Sequence, residues 1–260
     1  IFFDRDAIYV NARCWESHPE RMIANEMRRD GNNIGQNERI GFTIDTFYDH
    51  RNGPTFSVNP LGGRMDGQIT DEKVYNPDWN PVWDAKTGRF EGGWTIEMAI
   101  PFKSLRYGPG REQTWGIVLR RRIRHNGDEH SFVPRMPKVW GATANMHMSA
   151  AATLTGLEAP EPALNLEVKP YVIGALRTDL QATPPIRNDP DKGVGVDVKY
   201  GLTKSLTADF TYNTDFAQVE DDTQQVNLTR FNLFFPEKRE FFLEGQGIFA
   251  FGGSTGSTNS

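Results

Sequence analysis

Cysteine is nearly missing from this chain: Cys14 is the single one in 260 residues. That excludes an intramolecular disulfide and a cysteine-based metal centre. Strong net charge is missing as well. Against 34 acidic side chains stand 29 basic ones, a balance of −5, which gives no electrostatic case for a nucleic-acid partner. Long hydrophobic runs are also absent. Stretches such as Ser149 to Leu154 fall far short of the roughly 20 apolar residues a membrane helix needs. There is no Walker loop, no HExxH and no EF-hand loop. Gly252-Gly253-Ser254-Thr255-Gly256 matches G-x-S-x-G in letters only, because no helix-forming run follows it.

What is present favours strands and turns. Glycines number 25, prolines 16, and aromatics make up 12%. Over residues 1–157 the apolar residues recur at period two. Ile8, Val10, Ala12 and Cys14 share one face; so do Ile40, Phe42 and Ile44, then Trp94, Ile96, Met98 and Ile100, then Trp115, Ile117 and Leu119. Thr55 to Asn59 reads as a short strand, Pro19 to Arg29 as a short helix and Pro101 to Arg106 as a single turn. Strands bounded by Gly, Pro, Asn and Asp predict an antiparallel β-sandwich. Residues 158–163, EAPEPA, read as a stiff linker. Both ends of the chain are expected to continue in a longer protein, since it opens in strand-like sequence and closes in loop-like GGSTGSTNS.

From residue 164 to 260 the texture changes. Leu164, Leu166, Val168, Pro170 and Val172 alternate with polar residues; so do Val194, Val196, Val198 and Tyr200, and Leu206, Ala208, Phe210 and Tyr212. Gly201 to Ser205 is a tight connection, whereas Arg177 to Lys192 and Asn213 to Gln225 read as longer polar loops. Short turns at one end and long loops at the other are the habit of outer-membrane barrels, and a soluble sandwich is the competing reading of the same alternation. Residues 226–249, VNLTRFNLFFPEKREFFLEGQGIF, crowd phenylalanines around a Pro-Glu-Lys-Arg turn, as aromatic rings at a lipid–water boundary do. The four or five strands countable here are too few for a closed membrane barrel, which needs at least about eight.

Two resemblances cover almost the whole chain. Residues 8–157 resemble the family 9 carbohydrate-binding module, on IYVNARCWESHPERM, RRDGNNIGQNERIGFTIDTFYDHRNGPTFSVNPLGGRMDG, WNPVWDAKTGRFEGGWTIEMAIPFKSLRYG and WGIVLRRRIRHNGDEHSF, in that order. The module's usual first strands are not represented. Residues 164–250 resemble the start of an uncharacterised β-barrel family that follows such modules in Gram-negative envelope proteins, on GVDVKYGLTKSLTADFTYNTDFAQVEDDTQQVNLTRFNLFFPEKREFFLEG. The resemblances imply an all-β protein: an N-terminal antiparallel sandwich plus the first strands of an antiparallel outer-membrane barrel. They imply a place in the bacterial outer membrane and name no substrate; the sandwich is expected in the periplasm because it precedes the first barrel strand.

Sugar-binding modules present flat aromatic rings with polar groups at the rim. Trp79, Trp83 and Trp140 lie in loop-rich sequence and are the candidate platforms; the alternative for Trp83, as for Trp94 and Trp115, is a place in the core. Arg120 and Arg122 fall on one strand face and Arg121 on the other. They suit either a polar sheet face or an anionic ligand such as an acidic glycan or lipopolysaccharide phosphate. Family 9 modules commonly hold calcium, and Asp45, Asp49, Asn59 and Asp66 offer hard oxygen ligands in the matching region; solvated turn acids are the alternative. His125, Asp128, Glu129 and His130 cluster around Asn126-Gly127, which a hairpin tip explains without a metal. Glycoside hydrolysis needs two carboxylates across one bond, and nothing singles out a pair among Asp45, Asp66, Asp84 and Glu97. The expected function is therefore a glycan- or envelope-binding or transporting outer-membrane protein, with lipid and possible protein partners. A secreted glycan hydrolase and a structural barrel anchor for a surface assembly are the alternatives.

Overall fold

The computed structural model describes residues 1–31, 33–161, 166–179, 184, 186–201 and 207–213. The chain divides into two units, Ile1–Ala163 and Leu164–Ser260. Every strand pairing in both is antiparallel, so the protein is all-β.

The first unit runs through β1 (Phe2–Phe3), β2 (Ala7–Trp15), β3 (Arg39–Asp45), β4 (Gly53–Val58), β5 (Arg64–Thr70), β6 (Val74–Asn76), β7 (Asp84–Phe90), β8 (Gly93–Pro101), β9 (Glu112–Ile123), β10 (Glu129–Val133) and β11 (Ala152–Glu158). A four-stranded sheet has the order β1-β2-β8-β7. A larger seven-stranded sheet has the order β10-β9-β3-β4-β5-β6, with β11 also on β9. The partners of β9 divide its length: β11 takes the first half, up to Ile117, and β10 the second, from Leu119.

Period-two alternation turns one face of each sheet inward. Ile8, Val10 and Cys14 from β2, with Trp94, Ile96, Met98 and Ile100 from β8, meet Phe42, Ile44, Phe56, Trp115 and Ile117 from the larger sheet in one core. Trp94 and Trp115 are fully buried, as their phase predicts, and each large side chain of this set contributes about 1.5–3 kcal/mol by burial. Glu97, out of phase, is exposed.

The short helix expected over Pro19 to Arg29 shrinks to a 3-10 turn, Pro19–Arg21. Buried side chains hold the rest of that loop. Asn37 Oδ1 accepts the Asn25 amide at 2.8 Å and the Glu26 amide at 3.2 Å, while Asn59 Nδ2 donates to the Glu26 carbonyl at 2.6 Å. Those bonds satisfy the loop backbone without a helix. The supposed linker begins inside the sandwich: Ala159 is buried and its amide donates to the Arg111 carbonyl at 2.9 Å.

The second unit contains β12 (Leu166–Asp179), β13 (Ile186–Gly201) and β14 (Thr207–Tyr212) in a sheet of that order. The expected polar loop from Arg177 to Lys192 is strand for most of its length, with Leu176 opposite Pro190 and Asp179 opposite Ile186. Backbone pairing carries the hairpin beyond the point where apolar alternation stops. Register aligns Val168 with Val198 and Phe210, and Pro170 with Val196 and Tyr212. The apolar face so formed is open: Val172 is 81% exposed and Phe210 63%. On the opposite face Lys169 aligns with Asp197 and Thr211, and the Tyr171 ring covers Gly195, where a Cβ would stand 2.3 Å from the ring. The phenylalanine-rich 226–249 segment and the connection 202–205 lie outside the described residues.

Candidate functional site

The outer face of the larger sheet gathers the basic residues. Arg39 of β3 stands opposite Arg122 of β9, and Arg120 opposite Gly41, so Arg39, Arg120 and Arg122 occupy one face of two neighbouring strands. The hairpin from β9 to β10 turns at Asn126-Gly127-Asp128, where Gly127 and Asp128 both adopt positive φ, at 65° and 61°. It folds Asp128 back onto the arginines. Arg122 grips Asp128 through Nε and, at 2.8 Å, through Nη2; Arg124 Nη1 reaches the same carboxylate at 2.8 Å. Arg122, through its hydrogen bonds and charge and with help from Arg124, holds the Asp128 carboxyl well below the usual range against the opposing effect of burial.

Arg120 donates from Nη1 to Asn145 Oδ1 at 3.2 Å and from Nη2 to His130 Nδ1 at 2.9 Å. Guanidinium only donates, so Nδ1 accepts and the His130 proton sits on Nε2, 3.4 Å from Asp128 Oδ1. Burial, then the Arg120 charge, lowers the pKa of His130, in keeping with a neutral ring. Asn145 belongs to a 3-10 segment, Lys138–Met146, whose Ala144 packs onto Val118 together with Met148 of the following turn, Met148–Ala150. This is therefore no solvated polar face: Arg39 and Arg122 are both buried.

Trp140 lies on the same covering segment, half-buried, stacked on His147 with centroids 4.1 Å apart. It accompanies Arg120 and Arg122. Trp79 and Trp83 do not. Both pack edge-on against Phe56, at 5.8 and 5.2 Å, Trp83 within the core between the sheets and Trp79 partly buried against it. Trp83 is 3% exposed and its indole nitrogen donates to Asp66 Oδ1 at 2.8 Å, so its ring faces are not available to a sugar.

The carboxylates read as calcium ligands are committed to protein partners. Asp45 accepts the amides of Asp49 and His50 at 3.1 and 2.7 Å. Asp49 accepts those of Arg51 and Asn52 at 2.8 and 2.9 Å. Asp66, fully buried, takes Arg29 Nε at 3.0 Å and Nη2 at 2.8 Å besides Trp83. Asn59 Oδ1 accepts the amides of Leu61 and Gly63 at 3.0 and 2.8 Å. Turn closure and ion pairing account for these contacts. Of the other acids weighed for hydrolysis, Asp84 and Glu97 are exposed, on the smaller sheet.

Among the described residues one group of three metal-capable side chains comes together: Glu16, Glu38 and His125. None of Asp45, Asp49 and Asp66 belongs to it. His125 stands between the acids, with Nδ1 on Glu38 Oε1 and Nε2 3.5 Å from Glu16 Oε1. Arg121 Nη2 holds Glu16 Oε2 at 3.2 Å, and Glu38 Oε2 is buried without a hydrogen-bond partner. With each ring nitrogen facing a different acid, the geometry suits a hydrogen-bonded clamp; a metal can take only one of those nitrogens at a time. His125 thus turns away from Asp128 and His130, its sequence neighbours. Glu16, Glu38 and Arg39 escaped sequence reasoning. The phase of Ile40, Phe42 and Ile44 already put Arg39 on the face opposite the core, but only the β3–β9 register brings it beside Arg120.

A family described as "Domain of unknown function (DUF5916)" matches residues 162–254. A search of curated proteins returns no match. Among solved structures, a carbohydrate binding module family 9 (CBM9) from Caldicellulosiruptor kristjanssonii in complex with cellotriose is similar, with 12% identity and a TM-score of 0.40, covering 62% of this chain and 73% of that one. The same module in complex with glucose is similar at 12% identity and 0.40, covering 63% and 75%.

Proposed function

We propose that this chain belongs to an outer-membrane β-barrel protein whose N-terminal sandwich stands in the periplasm and binds carbohydrate on the outer face of its larger sheet. The observation that carries the membrane half is the open apolar face of β12–β14. Leu166, Val168, Val172, Leu176, Val194 and Phe210 are all exposed, on a sheet whose other face is charged. In water such a face is an aggregation hazard; in lipid it is the required surface. β12 and β13 have 14 and 16 residues, longer than the roughly 9–11 that cross a bilayer core. No helix among the described residues is long and apolar enough to cross a membrane, and strands need none.

The binding half rests on the sequence resemblance of residues 8–157 together with Arg120, Arg122 and Trp140. These combine guanidinium donors and a half-buried indole on one face, the mixture sugar sites use. Membrane fractionation and gel migration test the membrane half. The full-length protein is expected to fractionate with outer membranes, to stay monodisperse only with detergent, and to migrate differently before and after boiling. A monodisperse, detergent-free protein with heat-independent migration contradicts it.

A further inference from the structure

The arginine face carries more positive charge than its surroundings neutralise. Among the described residues Asp128 is the one carboxylate that pairs with it, and Asp128 is already shared by Arg122 and Arg124. Arg39 is 7% exposed, and its one hydrogen bond among the described residues runs from Nη1 to the Met65 sulfur at 3.8 Å. Among the described residues Arg120 hydrogen-bonds to the neutral acceptors Asn145 and His130. The Nε atoms of Arg39 and Arg120 are both buried without a hydrogen-bond partner.

A buried charge with no counter-charge is costly, and proteins pair such groups or use them. Among the described residues the hydrogen bonds of these two guanidiniums all go to neutral acceptors. Met65 asks for no cation, and Asn145 and His130 satisfy two of the Arg120 nitrogens with neutral acceptors, so the counter-charge felt by both side chains is that of Asp128, already shared by Arg122 and Arg124. Arg39 has its Nε–Nη2 edge uncommitted, the edge whose two parallel N–H groups fit both oxygens of a carboxylate or phosphate. Burial first, and neighbouring arginines second, draw the two side chains down to about 10 for Arg39 and about 9 for Arg120, so both remain charged at neutral pH. The aromatic surroundings suit a ligand that is more than an ion. Tyr75 is 37% exposed on the flanking strands, Phe132 lies 5.9 Å from the Arg120 guanidinium, and Trp140 sits on the segment that supplies Asn145.

We propose that the sandwich recognises an acidic saccharide, a uronic-acid or phosphorylated sugar, whose oxyanion is held by Arg39 and Arg120 on the outer face of the larger sheet. This rests on the carbohydrate-binding reading above and adds the charge of the ligand and Arg39 as its principal donor.

Calorimetric titration of the full chain in detergent tests it, with trigalacturonate, glucose 6-phosphate, neutral cellotriose and inorganic phosphate as probes. At least one acidic saccharide is expected to bind at least about tenfold tighter than cellotriose, with affinity falling as salt rises. Arg39→Gln and Arg120→Gln are each expected to weaken it about ten- to a hundredfold, and Arg39→Lys less. The glutamine variants are also expected to melt no lower than the parent without ligand, because each removes an unpaired buried charge. A purely structural arginine predicts the reverse. Trigalacturonate and glucose 6-phosphate distinguish carboxylate from phosphate recognition. Equal binding of cellotriose and the acidic sugars, indifferent to both substitutions, overturns this inference and leaves the carbohydrate reading standing. Inorganic phosphate binding as tightly as the acidic sugars overturns the saccharide part. No saccharide binding, with variants that melt lower, sinks both readings.

Discussion

Replacing Asp66 by asparagine separates an ion-paired anchor from a calcium ligand. The Asp66 side chain is wholly buried, and its oxygens accept Arg29 twice and Trp83 once, at 3.0, 2.8 and 2.8 Å. Asparagine retains one acceptor and sets an NH₂ group against a guanidinium. Breaking a buried pair by removing one partner costs about 3–5 kcal/mol, and a charged hydrogen bond about 1.5–3 kcal/mol. Arg29 retains 28% side-chain exposure and a contact to the Pro81 carbonyl at 2.7 Å, so water and that carbonyl soften its loss. The expected cost is about 2–4 kcal/mol, or roughly 5–12 °C for a domain of this size. Thermal unfolding followed by tryptophan fluorescence, with chelator or with added calcium, reads it directly. Arg29→Met should cost a similar amount, and the double variant less than the sum of the two. A parent protein that loses the same stability in chelator alone, or an Asp66→Asn variant within about 0.5 kcal/mol of the parent, refutes the ion-pair account.

Other consequences follow from single contacts. Burial, then the Asp66 charge, raises the Asp30 carboxyl from 3.8 to about 6, so its folded form holds a proton more tightly than its unfolded form. Its contribution to stability is therefore full below about pH 4 and lost as pH rises through about 6. Asp30→Asn, which suits the positive φ there, should gain about 1 kcal/mol at pH 7 after allowance for partial exposure, and nothing at pH 4; equal effects at the two pH values contradict this. Phe56→Ala removes the ring against which Phe42, Trp79 and Trp83 all pack and should cost about 3–5 kcal/mol in denaturant titration. Gly195→Ala forces the Tyr171 ring off the sheet and should cost about 1–3 kcal/mol, seen as a smaller heat-modifiable fraction that Tyr171→Ala restores.

The central strands were legible because burial on one face leaves a period-two imprint. β2, β3, β8 and β9 all carry it, and Trp94 and Trp115 lie inside as their phase requires. The strands that went unread are edge or near-edge strands. β7, DAKTGRF, ends its sheet and is mostly exposed, and β6 ends the other. With little to bury, they show no alternation, and their backbone pairing is invisible in composition. Trp83 carries no phase because it precedes a strand; its packing on Phe56 and its hydrogen bond to Asp66 show where it belongs. The site suffers most from this limit. Arg120 and Arg122 stood out as a run, but Arg39 is 81 positions from Arg120 in the sequence and joins it only through strand register.

The direction faced by β12–β14 is the point on which the membrane account turns, and nitroxide accessibility measures it. With Cys14→Ala as background, labels at Val172→Cys, Val194→Cys and Phe210→Cys in the full-length protein in liposomes should relax preferentially with oxygen, which concentrates in lipid. Labels at Lys169→Cys, Asp197→Cys and Lys199→Cys should respond to a water-soluble nickel reagent. Labels on the Val and Phe face that respond to nickel as strongly as those on the Lys and Asp face would contradict the account.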